Sequence, residues 1–405
     1  MLIRLRKTYN EYPRQFWLVA FGVLLSSAGS SLIWPFQLIY ISKTLTLPIS
    51  SVATLITVSS AAGLAASFIG GAIADRFGRK LIMFGAQAAH GLAYLLMSQA
   101  DTYVGFVIPM TIMGAAMPIY AIGSDAMMAD MVPSEKRTGG FAILRMINNA
   151  GVAIGPAIGG FIVSKSYTLA FSLAAAGMIA YSLLLLIFSR ETLKRTEAQA
   201  AIPKKDFLGG YGRVLADGNF VGFVALVALG MIAPLMMWIL LSVYANRYYN
   251  LPEYLYSWLP ITNALMCVFV QFPVTMLTRR LPAKTAITLG MLLYALGVGS
   301  VAIMTGFWGF WLSMIIMTFG ELILVPTGSK YVADIAPEDL RGRYMSVYWL
   351  TWGVARSAAP MVGGFLHDAI APQAIWWGGL SIGLASTLGL FLLSRQPEKK
   401  ADPSV

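Results

Sequence analysis

His90, Asp125, Arg145, Glu321, Lys330 and Arg356 are ionisable side chains set inside long apolar runs of this chain. A charge at the centre of an apolar helix costs about 2.5–3.5 kcal/mol even on the milder insertion scale, so each needs a partner, water or a neutral form. A carboxyl placed there can carry a proton, because burial raises its pKa toward the physiological range and a neighbouring cation lowers it. Glu321 is the most central carboxylate, and Arg356 lies one run later. These two, with Asp125, form a candidate proton-coupling set. The plainer alternative is a structural ion pair between Glu321 and Arg356. Asp125 lies only about 9 Å of helix rise from Met131, nearer the end of its run.

The elements that must position these residues are apolar segments of roughly 20 residues, each long enough to cross a bilayer as a helix. Twelve are expected, at about 16–41, 50–74, 80–99, 104–131, 140–163, 167–189, 220–246, 255–277, 283–304, 307–332, 344–366 and 373–394. The composition agrees: 58% of the 405 residues are hydrophobic and 12% are charged, against about 25% charged in soluble domains. The one cysteine, Cys267, lies in an apolar run, so no disulfide or thiol chemistry rests on it. The basic head before the first run is too polar, and the run too long, for a cleaved leader. The predicted organisation is an N-terminal half, 1–189, a charged cytoplasmic linker, 190–219, and a C-terminal half, 220–405.

Lys43, Lys165 and Arg247 are the only basic residues of the connecting segments that fall on one side of such a bundle. The remaining loop lysines and arginines fall on the other, which places both termini in the cytoplasm. That asymmetry also accounts for the net charge of +11 without nucleic acid, since basic loops facing anionic lipid produce it. An internal repeat supports two halves. At one constant offset, Asp130, Pro133 and Arg137 recur as Asp334, Pro337 and Arg341, and Pro156, Gly159 and Gly160 recur as Pro360, Gly363 and Gly364. Arg76 and Lys80 recur as Arg280 and Lys284, while Asp75 is replaced by Arg279.

Between the second and third runs stands Gly71-Ala-Ile-Ala-Asp75-Arg76-Phe77-Gly78-Arg79-Lys80. Its charged residues mark the water-facing end of a two-helix hairpin, and Gly78 supplies the backbone angles of a tight turn. The pattern G-x-x-x-D-R-x-G-R-K resembles the signature loop of the major facilitator superfamily. The fold implied is an all-α membrane protein of twelve transmembrane helices in two six-helix pseudo-repeat halves. By that resemblance Asp75, Arg76, Gly78, Arg79 and Lys80 form a gate, with Asp130 tied to it.

The fifth run reads Gly151-Val-Ala-Ile-Gly155-Pro156-Ala-Ile-Gly159-Gly160, similar to the antiporter signature of the superfamily's bacterial drug/proton antiporter branch. Its glycines let a neighbouring helix approach closely, and Pro156 frees a carbonyl and bends the helix. Packing alone could require this pattern. Arg145, Asn148 and Asn149 on the same helix form a polar stripe that should face a central cavity, with Trp34 and Gln37 on its wall. Drug exporters of this kind often carry an arginine near the position of Met110. It is absent here, and Arg145 is the candidate substitute.

The expected protein is a secondary active transporter, not an enzyme, exporting hydrophobic or cationic small molecules in exchange for protons by alternating access. Its partners are an amphipathic substrate, protons and membrane lipid, with no nucleic acid, no metal and no cofactor. It is expected to be a monomer in the cell (inner) membrane. A lipid or glycolipid flippase of the same fold, or a membrane sensor that does not transport, are the alternatives.

Overall fold

A computed structural model describes residues 11–193, 211–337 and 340–395, so most of the predicted linker lies outside the described residues. All its regular elements are helical. The first half comprises α1 (Arg14–Ile33), α2 (Gln37–Leu45), α3 (Ile49–Phe77), α4 (Arg79–Gln99), α5 (Tyr103–Met131), α6 (Ser134–Val163) and α7 (Tyr167–Phe188). The second comprises α8 (Tyr211–Ala216), α9 (Gly218–Tyr249), α10 (Glu253–Tyr256), α11 (Trp258–Phe269), α12 (Gln271–Thr278), α13 (Ala283–Ser300), α14 (Gly306–Ile335), α15 (Arg341–Ala369) and α16 (Ala374–Ser394).

Twelve spans are expected from the sequence. Among the described residues, 10 helices are long and apolar enough to cross a membrane, or 11 when the bent run through α10, α11 and α12 is taken as one span. The expected eleventh run forms α15, 29 residues long, but Arg356, His367 and Asp368 make it too polar to meet the same measure.

Two runs are broken where one continuous helix is expected, and proline explains both. Pro35 cannot donate to the Ser31 carbonyl, and Trp34–Phe36 tightens into a 3₁₀ turn between α1 and α2. Pro273 cannot donate to Phe269, and α11 and α12 meet at a bend of 57°. Gln271 Nε2 instead reaches the Leu322 carbonyl of α14, at 2.9 Å.

The chain divides into two compact units. Unit 1 is Met1–Leu47, Thr54–Thr196 and Pro252–Ala264; unit 2 is Pro48–Ala53, Glu197–Leu251 and Leu265–Val405. Within unit 1, α1 packs on α6 and α7, and α4 on α5 and α7. Within unit 2, α9 packs on α15 and α16, and α13 on α14 and α16. These are the same pairings displaced by the sequence repeat. Small residues set the close approaches, as expected where packing rather than water drives helix association. Gly91 lies against Ala175 and Met178 of α7, and Gly297 lies against Met317 of α14.

Each unit also contains one segment from the other half of the sequence. In unit 1, α10 docks at Gly160 of α6, where an added Cβ would stand 2.8 Å from the Ser257 side chain and 3.0 Å from the Tyr254 Cα. In unit 2, the first turn of α3 docks at Gly364, the repeat equivalent, where a Cβ would stand 2.6 Å from the Ser50 Cα. The Ser50 amide donates to Asp368 Oδ2 at 2.9 Å.

Candidate functional site: a signature hairpin, a glycine seam and polar groups within the spans

Gly78 alone separates α3 from α4. Its φ of +92° lies where glycine is favoured, and an added Cβ would collide with the Glu191 carboxylate. Glu191 follows α7 and caps the N-terminus of α4. Its Oε1 accepts from the Arg79 amide at 3.0 Å and its Oε2 from the Lys80 amide at 3.1 Å. Its Oε1 also accepts from the amides of Thr192 and Leu193, each at 2.9 Å. Burial by itself would raise the Glu191 pKa; these four backbone donors outweigh it and hold the carboxyl below its ordinary value.

Arg79 Nε stands 3.4 Å from Asp130 Oδ2 in an ion pair, and its Nη1 donates to the Ala74 carbonyl at 3.2 Å. Thr192 Oγ1 donates to the same Asp130 oxygen at 3.0 Å. The guanidinium of Arg76 lies 5.5 Å over the Phe77 ring. Asp75 belongs to the last turn of α3, but its side chain lies outside the described residues. The Arg79 side chain thus pairs with Asp130 while its backbone amide is held by Glu191. No spacing rule could find Glu191, which is separated from Arg79 by 112 positions.

The glycine seam packs on α1. Cβ atoms added at Gly151, Gly155 and Gly159 would meet Ser27 and Ala28, then Ser31, Ala28 and Leu32, then the Leu32 backbone. Ser31 Oγ crosses this contact and donates to the Gly151 carbonyl at 3.1 Å. Pro156 is buried beside it. Gly160 faces the other way, toward α10, and Phe161 stacks on Tyr254 with ring centroids 6.2 Å apart.

Trp34 sits at the 3₁₀ break and is 36% exposed. Gln37 is buried, its Nε2 donating to the sulfurs of Met97 and Met110 at 3.3 and 2.9 Å. Arg145 and Asn148 are exposed and Asn149 is half-buried. Asp125 is exposed on α5, close enough to act electrostatically on Tyr120. The Tyr120 and Tyr181 hydroxyls are 3.1 Å apart, and Gln87 Nε2 donates to Ser26 Oγ at 3.0 Å.

Glu321 is half-buried on α14, where it acts electrostatically on Tyr294. Arg356 is exposed on α15 and makes no ion pair among the described residues, so the mutual pair with Glu321 is not formed there.

A further cluster escaped sequence reasoning. Glu253, first residue of α10, accepts from Lys43 Nζ at 2.7 Å and from the Tyr167 hydroxyl at 2.9 Å, its side chain only 10% exposed. Tyr40 packs on Tyr167 with ring centroids 5.1 Å apart. All four residues belong to unit 1. Among the described residues no group of His, Cys, Asp or Glu is placed to hold a metal ion.

A helical bundle built twice, a glycine-turned charged hairpin and ionisable groups within apolar spans define a membrane transporter. The family model of the Major Facilitator Superfamily matches residues 19–254 and 220–405, and the chain belongs to that family. It is a multi-pass inner-membrane transporter and not an enzyme. Among its relatives is a Na(+), Li(+), K(+)/H(+) antiporter of Planococcus maritimus, 26% identical over 91% of each chain. Another is the quinolone resistance protein NorA of Staphylococcus aureus, 22% identical over 96% of this chain and 98% of NorA. The fold is similar to that of the nucleoside transporter NupG, with a TM-score of 0.76 at 14% identity, covering 95% of this chain and all of that one.

Proposed function

We propose that this transporter exports hydrophobic or amphipathic, including cationic, small molecules in exchange for protons, by alternating access. The observation that carries the reading is Glu321. It lies at the middle of α14, with about 21–22 Å of helix on either side, and is half-buried. A carboxylate so far from both helix ends cannot reach bulk water by extending its side chain, so its proton exchange depends on access through the protein. Arg356 supplies a nearby-helix cation that is not already paired among the described residues. Asp125 is the alternate acid. The names of the relatives, an alkali-cation/H(+) antiporter and a quinolone resistance protein, support the antiport reading.

The hairpin at Asp75–Lys80, with Asp130 and now Glu191, is the cytoplasmic gate in this scheme, and the seam at Gly151–Gly160 is the joint on which α6 moves with α1. Both termini are cytoplasmic and the working unit is a monomer.

The test is uptake of a dye panel into sealed proteoliposomes under an imposed pH gradient. Wild type should concentrate substrate against its gradient. Glu321→Gln, which mimics the protonated form, should abolish gradient-driven transport while retaining binding and some downhill exchange. Uphill transport by Glu321→Gln with unchanged pH dependence would sink the coupling assignment. Lipid translocation without dye flux would favour a flippase, and binding without any flux a sensor.

A further inference from the structure

The run through α11 and α12 breaks beside Glu321. Pro273 has no N–H, so the Phe269 carbonyl loses the donor four residues on, and the two helices meet at 57°. The helical ladder ends with the Val270 amide on the Met266 carbonyl at 2.8 Å and resumes with the Val274 amide on the Val270 carbonyl at 3.1 Å. Gln271, the first residue of α12, fixes the level of the break, because its Nε2 donates to the carbonyl of Leu322, the residue after Glu321. The break and the carboxylate therefore share one depth, near the middle of α14. Tyr294 of α13 lies within electrostatic reach of both Glu321 and Cys267, which stands one turn before the break.

The broken run has two unlike sides. Val268, Phe269, Phe272 and Met276 are apolar and exposed, as a lipid-covered side requires. Cys267, Gln271 and Thr275 are half-buried and recur every fourth residue, which sets them together on the inward side. Gln271 makes both of its side-chain hydrogen bonds through Nε2, to the Leu322 carbonyl and to Thr275 Oγ1, each at 2.9 Å. Its Oε1 accepts none among the described residues.

These groups are oxygen donors of one electrostatic sign. They are a carboxylate, an amide oxygen and the last carbonyls of α11, where the helix dipole is negative. Carbonyls at the end of an interrupted helix, deep in a membrane, coordinate hard cations. The charge of the set selects the valence. One carboxylate leaves the site neutral with a monovalent ion, whereas a divalent ion would leave a net charge in apolar surroundings. We infer that Glu321, Gln271 Oε1 and the α11 carbonyls at the break bind a monovalent alkali cation. The inference rests on the exporter reading for treating Glu321 as the coupling acid, and adds an alkali cation as a ligand of the same carboxylate.

The experiment uses the full chain purified in a neutral detergent at mildly alkaline pH, with choline holding the ionic strength constant. Equilibrium binding of radioactive sodium is measured for wild type, Glu321→Gln, Gln271→Met and Pro273→Ala. Wild type should bind sodium saturably, with lithium or potassium displacing it and choline not. Glu321→Gln should abolish saturable binding. Gln271→Met removes the amide oxygen, and Pro273→Ala returns an N–H to the Phe269 carbonyl. Each should weaken sodium about tenfold or more, the order expected for loss of a ligand. A melting temperature in choline close to that of wild type shows that a variant is folded. Wild-type binding that never saturates, or saturable binding equal in wild type, Glu321→Gln and Pro273→Ala, overturns the inference. So does tighter binding of magnesium or calcium than of sodium. Saturable sodium binding without pH-gradient-driven dye flux in proteoliposomes sinks the exporter reading and leaves the cation site standing. Driven dye flux with no saturable sodium binding does the reverse.

Discussion

Glu191 closes the signature hairpin with its charge rather than with bulk. Its carboxylate accepts four backbone N–H groups, two of them orphan donors at the start of α4, and faces the positive end of that helix's dipole. A carboxyl whose pKa is depressed in the folded state adds stability above its unfolded pKa, and that stability is lost as pH falls through the folded value. Glu191→Gln keeps the shape and removes the charge. The expected cost is about 0.3–1 kcal/mol at pH 7, the usual range for an exposed charge at a helix end. In thermal melts of purified protein, the gap between wild type and Glu191→Gln should be present at pH 7 and close as the pH drops below the ordinary glutamate range. A gap independent of pH would show that the charge does not matter. Asp130 and Arg79 could be paired in advance because the family resemblance ties Asp130 to the hairpin. Glu191 could not, because only the return of α7 to the same end of the bundle brings it there.

At the scale of the helices, the seam between α6 and α1 is fixed by backbone rather than by side chains that could move aside. A Cβ at Gly159 would sit 2.9 Å from the Leu32 carbonyl carbon and 3.0 Å from its Cα. Gly159→Leu should therefore force the two helices apart, at a cost of about 1–3 kcal/mol or more, since no rotamer relieves a clash with main chain. Ile154→Leu, on the exposed apolar face, is the control and should leave the melting temperature unchanged. Loss of transport with an unchanged melting temperature in Gly159→Leu would show that the seam moves without being tightly packed. The glycine spacing was enough to forecast a close helix contact, but not its partner. Proline was a poorer guide. Pro35 and Pro273 coincide with breaks, yet Pro109, Pro118, Pro156, Pro234, Pro326 and Pro360 all lie inside continuous helices. The difference depends on whether neighbouring helices and side chains satisfy the freed carbonyl, which local sequence does not record.

For the molecule as a whole, the distribution of lysine and arginine makes a directional prediction. In a Cys267→Ser background, a cysteine at Lys165 should react with a membrane-impermeant maleimide on intact cells. One at Arg280 should react only after permeabilisation. The reverse pattern would invert the topology. The repeat was legible because polar loop residues and helix-packing glycines recur at a constant offset, and the two units use corresponding helix pairs. The division into units was not legible at its edges. Residues 48–53 and 252–264 pack with the unit opposite to their place in the sequence. Contacts of that kind leave no periodicity behind; they depend on two helix ends meeting a glycine each.

That exchange sets an order on assembly as the chain emerges from the ribosome. Gly160 is made long before Tyr254 and Ser257, so the first six helices enter the bilayer with the surface around Gly160 bare. The opening turn of α3 waits longer still, since Gly364 and Asp368 lie near the end of the last helix but one. Unit 1 is therefore not whole when its own half of the chain has been synthesised, because it needs residues 252–264 as well. The nascent first half must remain inserted, incomplete and unaggregated until residues 252–264 follow, and the opening turn of α3 until the chain is nearly finished.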